Sequence, residues 1–134
     1  MQKQHIHIPK YDWDVNILYN VDAHNIEYVA DELYALGCPM RDIRKAVNLL
    51  ATDYPNQGLT YSDKIHHETL IVVGYASSIG EFANTLVHEV DHCVDHISQV
   101  FGIPYDSEEN SYLIGGVAEL ICEGALNHFI KNVI

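Results

Sequence analysis

The sequence predicts an α+β domain, and three observations carry that reading. Apolar and polar residues alternate through residues 5–19, the period of a half-buried strand. Residues 69–75 read TLIVVGY, a β-branched run suited to a buried strand. From Ser78 onward apolar residues recur at helical spacing through two long segments.

The elements follow in order. His5-Ile6-His7-Ile8 begins the alternation, which is strongest across residues 12–19, where Trp13, Val15 and Ile17 are separated by Asp14 and Asn16. Asp22 has the chemistry of a helix N-cap, and Ile26, Val29, Ala30, Leu33 and Leu36 form a stripe that Gly37 ends. A second helix is expected over residues 40–51, with Ile43, Ala46, Val47 and Leu50 on one face. The run TDYPNQG at 52–58 is a loop, followed by a short strand near 59–62 and the stronger one at 69–75. Ser78-Ile79-Gly80-Glu81 is a capping-box pattern opening a third helix with Phe82, Leu86, Val87, Val90, Val94, Ile97 and Phe101 as apolar positions. Gly102 and Pro104 end it. Ser107, Glu108 and Glu109 open a fourth helix carrying Leu113, Val117, Leu120, Ile121 and Ala125. The expected order is strand, helix, helix, strand, strand, helix, helix, with a small and mainly antiparallel sheet.

At 134 residues the chain is read as one domain, residues 1–134. A composition of 48% hydrophobic and 19% charged residues is that of an ordinary globular protein. A net charge of −12, with only seven Lys and Arg, argues against nucleic acid as a partner. No apolar run is long enough for a bilayer, and MQKQHIHIPKYDWD lacks a secretory pattern, so no membrane association and a cytoplasmic location are expected. Cys38, Cys93 and Cys122 are widely spaced and form no CxxC pair, which suits a reducing compartment and small core residues rather than thiolate ligands.

The chemistry concentrates at His88-Glu89-Val90-Asp91-His92, an HExxH sequence within the third helix. Four residues are a little over one helical turn, so both imidazoles project from one face and can share a Zn²⁺ ion. Glu89, one step around the helix, is the candidate general base. A catalytic zinc normally has three protein ligands and an open position, and Glu108, Glu109 and Glu119 are the downstream carboxylates. In a tight antiparallel hairpin of the last two helices, Glu119 falls at the level of the histidine pair. Glu108 reaches that level only if residues 102–107 fold back along the third helix. His96 continues the i, i+4, i+8 series but lies about 6 Å beyond His92 along the axis, so a substrate-facing or supporting role suits it better than ligation. Of the other histidines, the pairs His5/His7 and His66/His67 read as solvent-facing, and His24 and His128 have no evident partners.

The stretch SSIGEFANTLVHEVDHCVDHISQVFGIPYDSEENSYLIG at residues 77–115 resembles small HExxH proteins of phage and prophage genomes, described as gluzincin-type metallopeptidases. YDWDV at 11–15 and GLTYS at 58–62 extend the likeness over most of the chain. The resemblance implies a minimal zincin-like fold and a phage or prophage origin. It also implies Glu108 as third zinc ligand, with Glu119 as the geometric alternative. The expected function is zinc-dependent hydrolysis of peptide or amide bonds in a peptide or protein substrate, with Glu89 as base. His96 or Tyr112 is then expected to donate a hydrogen bond to the oxyanion. Residues 69–75 would offer an edge for an extended peptide, and Gly115 with Gly116 would let the last two helices approach closely. The competing expectation is an inactive metal-binding, interaction or structural protein on the same fold.

Overall fold

In the computed structural model the backbone is described through residue 133 and the side chains through residue 125, so His128 lies outside the described side chains. A four-stranded sheet is covered on both faces. β1 (Gln2–Ile8) and β2 (Trp13–Val21) form an antiparallel hairpin around a 3-10 turn at Pro9–Tyr11. Then come α1 (Ile26–Ala35), α2 (Met40–Ala51), β3 (Gly58–Asp63), β4 (Glu68–Gly74), α3 (Ile79–Phe101) and α4 (Glu108–Val133). The sheet order is β1-β2-β4-β3.

The α+β class holds, with two corrections of detail. The N-terminal alternation is two strands rather than one. Pro9 opens a short turn, Asp12 takes a left-handed conformation at φ 46°, and the chain reverses before Trp13. The sheet is mixed rather than mainly antiparallel, because its central pair, β2 and β4, runs parallel. Parallel strands need a long crossover, and α1, α2 and β3 lie between them in the chain.

Side-chain alternation feeds two cores. Val15, Ile17, Tyr19, Ile71 and Val73 face α3 and α4, joining Phe82, Leu86, Val90, Val94, Ile97, Leu113, Val117 and Ile121. Leu18, Leu70 and Val72 face α1 and α2, joining Val29, Leu33, Ile43 and Leu50. Leu70 through Val73 are all buried, which is why β4 reads as an unbroken apolar run. Near the end of β2, Asn20 at φ 55° and a shift in the pairing turn Val21 to the α1/α2 face.

The helix ends follow the sequence signals. The Ser78 hydroxyl accepts from the Glu81 amide at 3.1 Å, and Gly102 ends α3 at φ 67°. Ser107 accepts from the Asn110 amide at 3.1 Å at the start of α4. Asp22 caps a 3-10 turn that leads into α1. Val87 and Leu120, expected on apolar faces, are instead 62% and 46% exposed. Among the described residues, no helix is long and apolar enough to cross a membrane.

Candidate metal centre

α3 lies over the β3–β4 side of the sheet, whereas α4 packs on α3 and on β1. The HExxH turn of α3 therefore looks out over β3, an edge strand. Gly58, Thr60 and Ser62 alternate along β3 and point toward this helix. A cleft of about 520 Å³ runs between the two elements, and His88, Glu89, His92, His96, Gly58 and Thr60 are among its lining residues.

His88 and His92 are exposed to the cleft, with their Nε2 atoms 3.2 Å apart. Glu89 differs: it is only 4% exposed. The Thr60 hydroxyl donates to Glu89 Oε1 at 3.1 Å and lies 3.2 Å from the Glu89 carbonyl oxygen. A Cβ at position 58 would stand 2.9 Å from Glu89 Oε2 and 2.9 Å from Thr85 Cγ2, so glycine there permits the close approach of β3 to α3. Burial raises the Glu89 carboxyl above its ordinary value, against the Thr60 hydrogen bond and the nearby imidazoles, which lower it. A carboxylate shifted toward neutrality and facing a cleft suits proton transfer.

His88, Glu89 and His92 each offer one donor atom, all within 4.8 Å of one another. Two nitrogens about 2.05 Å from a shared tetrahedral zinc stand about 3.3 Å apart. The observed 3.2 Å fits that separation, and an imidazole–imidazole–carboxylate set suits a divalent transition metal.

The expected downstream carboxylate is not brought to the pair. Glu108 lines a different cleft, between α4 and residues 8–11, and Glu119 is exposed on α4. The reason is lateral: the tight hairpin sets the level of α4 residues along α3, but α4 occupies the β1 flank while the histidines face the β3 edge. Glu109 accepts from the Tyr11 hydroxyl at 2.8 Å instead. Tyr112 is 74% exposed and lines the cleft that holds Glu108, away from the histidines.

His96 does reach the histidine cleft, and its Nδ1 is 2.7 Å from Ser62 Oγ. Burial lowers its pKa, helped by the charge of Lys64 and opposed by Asp95. The edge expected at residues 69–75 belongs to β3, since β4 is paired on both sides. Nothing lies within 4 Å of a Cβ built at Gly115 or Gly116, so neither glycine serves a close helix contact.

Thr60, Gly58 and Ser62 were missed by sequence reasoning. Their signal was the period-two spacing of small and hydroxyl residues at 58, 60 and 62, which becomes legible only once β3 is known to pass under the HExxH turn. Among the other described histidines, His5 Nε2 and His7 Nδ1 each lie 3.0 Å from Asp14 Oδ1, His66 Nδ1 lies 2.6 Å from Asp63 Oδ2, His24 Nδ1 lies 3.4 Å from Asp22 Oδ1, and His67 stacks on the Trp13 ring. No protein-family model, curated protein or solved structure matches the chain.

Proposed function

We propose that the chain is a zinc-dependent peptidase whose reaction centre is the His88–Glu89–His92 turn of α3. The observation that carries this reading is the pairing of two accessible imidazoles at metal-sharing distance with a buried, hydroxyl-anchored carboxylate beside them. When bound, zinc would supply Lewis acidity, acidifying water and polarising a substrate carbonyl. Glu89 takes a proton onto its carboxylate and passes it to the leaving amine. Thr60 and the wall at Gly58 hold that carboxylate in place, so it need not be ordered when substrate arrives. The open edge of β3 gives an extended peptide backbone groups to pair with. His88 and His92 would hold the metal through Nε2.

A second reading has its own observation. Among the described residues Glu89 is the only carboxylate within reach of the two imidazoles, so Glu89 as a third ligand would leave a metal-binding protein without a base. Glu89→Gln separates the two. As base, its loss should reduce hydrolysis of a quenched fluorescent casein by about 10²–10⁴-fold with zinc content near wild type by elemental analysis. As ligand, its loss should strip the zinc. His88→Ala should lose zinc under both readings, and undiminished zinc in that variant would remove the site.

A further inference from the structure

A buried row of polar side chains crosses the sheet beneath α3, one from each of three strands, and ends at His96. Trp13 Nε1 on β2 donates to Thr69 Oγ1 on β4 at 2.8 Å. Thr69 Oγ1 is 2.8 Å from Ser62 Oγ, its pairing neighbour on β3, and Ser62 Oγ is 2.7 Å from His96 Nδ1. Trp13 and Thr69 have no exposed surface, and Ser62 is buried. Such a row is costly to bury unless every member is satisfied, and no buried side-chain polar atom among the described residues lacks a partner.

We propose that this row holds His96 as the tautomer with its proton on Nε2, making it a fixed hydrogen-bond donor to the cleft. The direction follows from the only member with no choice. An indole N–H can donate and cannot accept, so Thr69 Oγ1 accepts at the Trp13 end and must send its own proton elsewhere. Two acceptors are in reach, Ser62 Oγ and the buried Cys93 sulfur. A thiol sulfur accepts only weakly, whereas the Ser62 hydroxyl lies 2.8 Å from Thr69 Oγ1. Thr69 therefore donates to Ser62, and Ser62 donates to His96 Nδ1.

With Nδ1 occupied as an acceptor, the ring proton resides on Nε2, which has no hydrogen-bond partner among the described residues of a ring that lines the cleft. The opposite tautomer would present a lone pair there, the chemistry of a ligand rather than a donor. Trp13, Thr69 and Ser62 are thus positioning residues acting through His96. That His96 donates to a substrate carbonyl rests on the peptidase reading; the tautomer itself does not.

The test is long-range nitrogen–proton correlation of the imidazole rings in the full chain near neutral pH, with and without zinc. The expected wild-type pattern for His96 is a protonated Nε2 and a bare Nδ1. In Ser62→Ala the two ring nitrogens should move toward averaged shifts, and Ser62→Thr, which keeps the hydroxyl, should restore the wild-type pattern. A protonated Nδ1 in the wild type, or an unchanged pattern in Ser62→Ala, overturns the proposal. Should Ser62→Ala not fold, the wild-type spectrum decides alone. The same spectra report His88 and His92: if zinc leaves them unmoved while His96 keeps its tautomer, the peptidase reading fails and the tautomer stands.

Discussion

Replacing Gly58 by alanine tests the close approach on which the site depends. The added methyl would lie 2.9 Å from Thr85 Cγ2, 2.9 Å from Glu89 Oε2 and 3.0 Å from Glu89 Cγ. Neither neighbour yields freely: Glu89 is held by Thr60, and the Thr85 hydroxyl donates to the Asn56 carbonyl at 3.3 Å. Overpacking of this kind costs about 1–3 kcal/mol. The loss of unfolded-state freedom returns about 0.4–1 kcal/mol, since Gly58 does not occupy the left-handed region. The net expectation is a destabilisation of about 0.5–2 kcal/mol, read as a lower urea midpoint at unchanged slope. Gly115→Ala is the matched control. It lies within α4 with nothing within 4 Å of its added methyl, so it should stabilise by about 0.5–1 kcal/mol. The signs are opposite for the same chemical change. A Gly58→Ala protein as stable as wild type would refute the tight contact between β3 and α3.

Two further outcomes are expected. In metal-free protein, Glu89 keeps its proton when folded over a range where the unfolded chain has released it, because its folded pKa is raised above 4.5. The folded state then binds more protons, so its stability relative to Glu89→Gln should fall as pH rises from 4.5 through the raised value, and level off above it. Asp14 and Asp63, whose pKa values are lowered by hydrogen bonds from histidines, have the opposite slope and cancel in that difference. A difference that rises with pH would contradict the burial of Glu89. Thr69→Val should cost about 1–3 kcal/mol by leaving the buried Trp13 N–H without an acceptor; a urea midpoint equal to wild type would show that the N–H finds another partner.

Local signals carried much of the fold. The Ser78 cap, the Gly102 stop and the bounds of α2 were legible because each depends on a few neighbouring residues. The split between β1 and β2 was not, since the alternation continues on both sides of Pro9–Tyr11. Parallel pairing of β2 with β4 was also out of reach, being a contact between segments some fifty residues apart in a chain whose local pattern is the same for either direction. At the site, helical spacing foretold that His88 and His92 converge. It could also give the level of Glu119 along α3. It could not tell which flank α4 would take, and the flank decides which carboxylates reach the histidine pair.

The turn joining β3 to β4 governs the shape of the candidate site from a distance. Asp63 accepts from the Ile65 and His66 amides, and His67 takes φ 57°, so this short turn sets where the two strands begin to pair. Gly58, Thr60 and Ser62 share one face of β3, this register turns that face toward α3, and a slip by one residue would turn all three away together. The space for Glu89, its hydroxyl partner and the anchor of His96 would be lost in one event, with His88 and His92 untouched. A change in the hairpin tip can therefore reshape this cleft while leaving the two imidazoles of α3 where they are.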